Sequence, residues 1–171
     1  LNLRYGSKWS VAGWGFLLNG SIDAFSFVPG KPNYFGVIGN EQNILNPYKR
    51  PASSMAPVLV TNNGEVEALL GTPGGPSIPS TLSMILFLTL CCGVHPGQAV
   101  EMGRLHHQAW PDVLFREPDG LSNDAVASLK TLGYDIKEKH EPIGDIHGIW
   151  KSGVGCIAVS DYRREGYAMS V

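Results

Sequence analysis

The chain has 171 residues, 43% of them hydrophobic and 16% charged, which is enough apolar material for one buried core and an ordinary globular composition. Its formal net charge of −2, from 13 basic and 15 acidic side chains with no run of like sign, lacks the electrostatic footprint of a nucleic-acid or anionic-membrane binder. Cys91, Cys92 and Cys156 are too few for a disulfide framework and lack the paired spacing of a zinc site; the adjacent pair, inside an apolar run, reads as buried thiols.

Glycine and proline crowd the first half, where short apolar runs separated by turn signals predict strands and ordered loops with few helices. Phe16-Leu17-Leu18 is one such β-rich run. Asn19-Gly20-Ser21 behind it matches a glycosylation acceptor in form but, following directly on apolar residues, reads as a core edge. Residues 57–61 and 65–70 flank Asn62-Asn63-Gly64 and predict a hairpin on an Asn-Gly turn. A long apolar segment over residues 79–94 predicts a buried helix, too short for a bilayer, which takes about 20 apolar residues. Pro96 opens a shorter helix to Met102. A third is predicted from the Ser122-Asn123-Asp124 cap through Ala125, Val126, Leu129 and Leu132 to a stop at Gly133. Residues 134–139, 146–151 and 155–160 alternate as closing strands. With no repeat, low-complexity tract or linker, residues 1–171 read as a single domain. The order of strands, helices, strands predicts an α+β or layered α/β/β/α fold with mainly antiparallel sheets.

Three groups of residues could carry chemistry. Gly71-Thr72-Pro73-Gly74-Gly75-Pro76 joins a predicted strand to a predicted helix, where backbone N–H groups can converge on an anion and no side chain blocks an approaching oxyanion. Taken alone, such a turn is more often structural. Ser53-Ser54, held between Pro51 and Pro57, offers two hydroxyl donors that could grip a carboxylate; taken alone, such a pair is more often an ordinary turn whose hydroxyls bond nearby backbone. Arg104-Leu105-His106-His107-Gln108 lacks the spacing of two ligands on one face, because adjacent side chains point apart, and reads as structural.

Taken together and in order, these runs resemble the γ-glutamyltransferase family. The likeness covers Leu1-Asn2 with Tyr5-Gly6-Ser7, Gly15-Phe16-Leu17-Leu18-Asn19 with Asp23 and Phe25-Ser26, and Asn46-Pro47-Tyr48-Lys49-Arg50-Pro51. It continues through Ser53-Ser54-Met55 with Pro57, Gly71-Thr72-Pro73-Gly74-Gly75, Arg104 to Gln108, and the tail Asp161 to Gly166. The resemblance implies an N-terminal-nucleophile hydrolase with an αββα sandwich, of which this chain is the small-subunit part. It implies amide cleavage and acyl transfer through an acyl-enzyme on an N-terminal threonine, whose own α-amine is the base. That threonine falls upstream of the Leu1 match, so the chain reads as a small subunit lacking its nucleophile segment. By the same resemblance Gly74 and Gly75 supply the oxyanion hole. Ser53 and Ser54 bind the substrate α-carboxylate with an arginine of the large subunit, and Asn2 sits near the α-amino end.

The family places a glutamine or glutamate and a later aspartate where this sequence has Ser21 and Ala24, so the partner of the substrate ammonium is missing unless Asp23 takes the role. Removing such a carboxylate costs roughly 3 to 5 kcal/mol. Three readings stay open here: a γ-glutamyl transferase or hydrolase, an acylase for glutaryl-type groups that keep a carboxylate without the α-amine, and a non-catalytic paralogue. The implied partners are a large subunit from the same precursor and a γ-glutamyl or related acyl amide, with no nucleic acid and no membrane span. No metal or organic cofactor is expected. The compartment implied is periplasmic or extracellular, with the cytoplasm left open.

Overall fold

In the computed structural model, which describes residues 1–169, Asn63 and Gly64 have φ of +51° and +84°. Consecutive left-handed residues give a two-residue hairpin turn whose twist matches that of its strands, and Asn-Gly adopts it at little cost. The turn joins β1 (Val58–Asn62) to β2 (Glu65–Gly71) in antiparallel register from Val58↔Leu70 to Asn62↔Glu65, with a slip between Val60 and Thr61. A later hairpin, β6 (His147–Ser152) and β7 (Gly155–Ser160), extends the sheet in the order β1-β2-β6-β7, antiparallel throughout.

Alternation along these strands sends Val58, Val60, Ala68, Leu70, Trp150 and Val159 to one face, where they meet Ile78, Leu82, Ile85, Ala99 and Val100 of two helices. The first helix, α1 (Ser77–Leu86), buries Ile78, Thr81, Leu82 and Ile85, the i, i+3, i+4, i+7 stripe of an amphipathic helix. It begins earlier than the apolar pattern predicts. The Ser77 and Ile78 N–H groups bond to the Gly74 and Gly75 carbonyls at 3.2 and 3.1 Å, so the glycine turn itself starts the helix, and Pro79 is tolerated within the first turn.

The predicted helix over 79–94 is also interrupted. After Leu86 the chain widens into one π-helical turn, Phe87–Cys91, closed by the Cys92 N–H on the Phe87 carbonyl at 3.1 Å. The wider turn rotates the following side chains off the buried stripe, and Cys91 and Cys92 are exposed, as is Cys156 on β7. This corrects the expectation of buried thiols. The second helix, α2 (Pro96–Glu101), has Pro96 in its first turn, and the His95 Nδ1 accepts from the Gly97 N–H at 3.2 Å. The third, α3 (Asn123–Thr131), is capped as predicted, Ser122 Oγ accepting from the Ala125 N–H at 3.2 Å.

A three-stranded sheet of order β3-β4-β5 holds β3 (Leu105–His106), β4 (Leu114–Arg116) and β5 (Ile136–Glu138). The first two were not predicted, since strands of two and three residues show no periodicity. β4 and β5 are parallel, which requires a crossover, and α3 provides it. Behind this sheet the Arg104 side chain is fully buried against Asp161; it also donates to the Ile143 carbonyl at 2.9 Å and the Val100 carbonyl at 3.1 Å. Glu117 accepts from the Arg104 and Ile143 amides, both at 2.9 Å, and pairs with Arg163, which also holds Asp161.

The helices and both sheets lie in a compact unit that begins at Met55; residues Leu1–Ser54 form another. In this first unit the predicted strands are not found among the described residues. Phe16-Leu17-Leu18 contributes one bridge, Ser10↔Leu17, because Gly13 and Gly15 at φ +80° and +68° break the extended run before it. Single 3₁₀ turns at Ser21–Ala24 and Glu41–Asn43 and a second bridge, Pro32↔Ile38, complete it. Among the described residues no helix is long and apolar enough to cross a membrane.

Candidate active site

Strand β2 ends at Gly71 and delivers Thr72, whose Oγ1 accepts from the Asp145 N–H at 2.7 Å and donates to the Pro73 carbonyl at 2.7 Å. This staples the turn to the segment leading into β6. Gly74 and Gly75 follow with φ of +148° and +57°, and a Cβ on Gly74 would fall 2.5 Å from Ser77 Oγ and 3.6 Å from the Gly144 Cα. Only glycine fits there. Ser77 Oγ donates back to the Gly74 carbonyl at 2.9 Å, so that carbonyl is turned toward the helix. Among the described residues neither the Gly74 nor the Gly75 N–H donates to the chain, and Pro76 has none to add. Two adjacent backbone donors that the described chain does not use, on a braced turn before a helix, are groups of the kind that can bind an anion.

Beside the turn, Gly71 pairs with His147 across the sheet. Asp145, its side chain 8% exposed, lies 3.4 Å from His147 Nε2 through Oδ2, while its Oδ1 is buried with no partner among the described residues; Ser160 Oγ lies 3.3 Å from His147 Nδ1. Sequence reasoning missed Asp145, His147 and the Thr72 staple, because a contact across 73 positions leaves no local pattern.

In the first unit the chain gathers most of the other predicted residues. Asn2, at φ +52°, donates from Nδ2 to the Gly20 carbonyl at 3.2 Å, and the Gly20 N–H returns to the Leu1 carbonyl at 2.8 Å. That places Asn2 on the turn that carries Ser21 and Asp23. The Ser21 N–H is held by Asn19 Oδ1 at 2.9 Å, Asp23 Oδ2 is buried without a partner among the described residues, and Asn19 itself is exposed rather than at a core edge. Asn43, which the sequence did not single out, donates to the Ala24 carbonyl at 2.7 Å and accepts from the Ala52 N–H at 3.0 Å. It thereby ties the 21–24 turn to the loop bearing Ser53, which is exposed, and Ser54, which is half-buried.

The cluster read as structural divides. Arg104 lies in the buried ion pairs, His107 faces Asp112 at 3.0 Å, and His106 turns inward to 7% exposure. Among the described residues no group of three or more His, Cys, Asp or Glu side chains could hold a metal ion.

The fold is that of the N-terminal-nucleophile hydrolase class, as its likeness to solved members shows. Gamma-glutamyltranspeptidase from Pseudomonas nitroreducens, complexed with L-DON, superposes with a TM-score of 0.89 at 37% identity, over 99% of this chain and 89% of that one. The T380A mutant of the Helicobacter pylori enzyme gives 0.86 at 35% identity, over 95% of this chain and 89% of that one. The gamma-glutamyltranspeptidase family model matches residues 1–171, and the chain belongs to that family. The glutathione hydrolase proenzyme of Pseudomonas aeruginosa is 36% identical over 173 residues, covering 100% of this chain but 31% of the relative, so the chain spans about a third of that protein's length.

Proposed function

We propose that this chain supplies the oxyanion donors and the carboxylate grip of an enzyme that cleaves amides and transfers acyl groups in the γ-glutamyltransferase manner. On this reading the nucleophile is a threonine from the part of the protein that this chain, spanning 31% of its relative's length, does not cover. The observation that carries the reading is the braced turn: among the described residues the Gly74 and Gly75 N–H groups are unengaged, while Thr72 and Ser77 hold the backbone around them. In the reaction the threonine hydroxyl attacks the amide carbonyl carbon and its proton passes to the α-amine. The carbonyl electrons move onto oxygen, where the two N–H groups receive them, each worth roughly 3 to 4 kcal/mol in the transition state. Collapse breaks the C–N bond, the leaving amine takes the proton, and water or an acceptor amine resolves the acyl-enzyme. Ser53 and Ser54 donate to the substrate carboxylate, and Asn2 lies toward its α-amino end.

The loop at Ser21–Ala24 favours a second reading of the same machinery. Ser21 and Ala24 carry no charge to hold an ammonium group, and Asp23 has one oxygen buried. Acyl donors that keep the carboxylate without the amine, such as glutaryl amides, suit that loop better than γ-glutamyl amides. The test compares kcat/KM for a γ-glutamyl and a glutaryl anilide in the enzyme containing this chain. A glutaryl preference of about tenfold or more supports the second reading, since each 1.4 kcal/mol of lost ammonium binding is a factor of ten. A γ-glutamyl preference removes it and leaves the first. Inactivity on both amides removes both.

The partner is the upstream part of the same precursor, consistent with the proenzyme name of the relative. On the sheet face away from α1 and α2, Leu59, Leu69 and Ile149 stand in register across three strands, 57%, 46% and 45% exposed. An aligned apolar row of this kind is what a second polypeptide covers.

A further inference from the structure

His106 on β3 is bonded to Ser80 in the first turn of α1, and Ser77 in that same turn holds the glycine turn. Ser80 Oγ lies 2.8 Å from His106 Nδ1 and 3.0 Å from the Ser77 carbonyl. Ser77 holds the Gly74 carbonyl through both its Oγ, at 2.9 Å, and its N–H, at 3.2 Å. On its other side His106 Nε2 lies 2.8 Å from Gln108 Oε1, and Gln108 Nε2 donates to the Trp110 carbonyl at 2.8 Å. The ring is stacked on Phe115 with centroids 6.4 Å apart and planes 16° apart.

Counting protons fixes the roles. Because Gln108 Nε2 donates to the Trp110 carbonyl and its Oε1 faces His106, His106 Nε2 must carry a proton. A neutral imidazole then leaves Nδ1 as an acceptor, and the one hydroxyl proton of Ser80 goes to it rather than to the Ser77 carbonyl. In the imidazolium Nδ1 becomes a donor, and the Ser80 proton must swing onto the Ser77 carbonyl. The link from β3 into the first turn of α1 therefore reverses direction with one proton on His106.

Burial holds the His106 imidazole below its usual range; the bond to Gln108 opposes this, and Lys139 and His107 add to it. α1 contributes no charged side chain, β4 faces His106 with Phe115, and Arg116 beside it is spent on Glu138 at 2.6 Å. At neutral pH the imidazole is accordingly neutral.

We propose that His106 is a positioning residue for the oxyanion turn: as a neutral imidazole protonated on Nε2, it accepts from Ser80 Oγ and so fixes the first turn of α1, whose Ser77 holds the Gly74 carbonyl. The proposal rests on the reading of Gly74 and Gly75 as oxyanion donors. His106 touches no substrate; it acts on where the two N–H groups point.

The test uses the processed enzyme containing this chain. Ser80→Ala and His106→Leu are expected to lower kcat about tenfold or more with KM for the donor changed less than twofold, since a misaimed donor is felt in the transition state and not in substrate binding. His106→Asn, which offers an amide oxygen near the Nδ1 position, is expected to restore most of kcat. It should also lose any acid limb of the kcat profile that belongs to the imidazole. Independently of activity, ¹⁵N spectra at pH 7 should place the His106 proton on Nε2. The proposal is overturned by an unchanged kcat in Ser80→Ala, by a change confined to KM, or by a proton found on Nδ1. An active wild type with any of these results leaves the oxyanion reading standing; a wild type inactive on both amides removes that reading and this proposal with it.

Discussion

At the residue scale the predicted chemistry lies in a few backbone and hydroxyl groups whose geometry side chains enforce. On the proposed reading Ser53 and Ser54 donate to the substrate carboxylate, and a hydrogen bond to a charged group contributes about 1.5 to 3 kcal/mol. We expect Ser54→Ala to raise KM for a carboxylate-bearing donor roughly ten- to a hundredfold, with a smaller effect on an analogue whose carboxylate is amidated. Equal losses on both substrates in steady-state assays would remove Ser54 from this role. Gly74→Ala is the more severe change. The left-handed φ and the 2.5 Å approach to Ser77 Oγ allow no methyl group, and we expect kcat to fall about a hundredfold or more while the chain stays assembled. Single-turnover acylation rates would detect it. Wild-type acylation would show that these N–H groups are not the oxyanion donors.

At the element scale the glycine turn is held between β2, α1 and the 143–146 segment, and that segment is in turn anchored by buried charges. The Ile146 N–H donates to Asp161 at 2.8 Å, Asp161 pairs with the fully buried Arg104, and Glu117 with Arg163 closes the knot. Burial pushes the Asp161 carboxyl up, but the Ile146 and Arg163 amides and Arg104 outweigh it and hold it below the usual range. Glu117 is held low in the same way, by Arg163 and the Ile143 and Arg104 amides against burial. Carboxylates with lowered folded-state values add stability that is complete above their unfolded range and lost as the pH falls through the folded one. The melting temperature should therefore be level near neutrality and decline below the ordinary carboxylate range. Asp161→Asn leaves Arg104 buried and unpaired, and we expect it to cost roughly 3 to 5 kcal/mol. Denaturant titration measures this, and a loss under about 1 kcal/mol would mean the pair is not the anchor.

At the scale of the whole molecule, the second unit has a helical face that is covered and a sheet face that is not. The row Leu59, Leu69, Ile149 follows from period-two alternation in strands apolar on both faces, as in a sheet layered between two partners. We expect Leu69→Glu to abolish assembly with the upstream part of the precursor, because a carboxylate buried against apolar surface without a partner costs several kcal/mol. Size-exclusion chromatography with mass analysis reads the outcome. An assembled Leu69→Glu enzyme, or a chain that is a soluble monomer without its partner, would show that this face is not the interface.

Local patterns made the hairpin, the α3 cap, the β7 limits and the glycine turn between strand and helix legible from residue order. Asn63-Gly64, Ser122 and Gly74-Gly75 carry their conformational demands within three or four positions. Shortness hid β3 and β4, and the π-turn that exposes Cys91 and Cys92 depends on where α1 packs, which no local periodicity records. The turn's support was hidden for the same reason. Thr72 meets Asp145, Ser80 meets His106 and Asn43 joins Ala24 to Ala52 only after the chain has folded. Residue type and order thus determine which atoms can donate, accept or turn; the folded chain decides which of them meet, because hydrogen bonds and packing act over a few ångströms whatever the distance along the sequence.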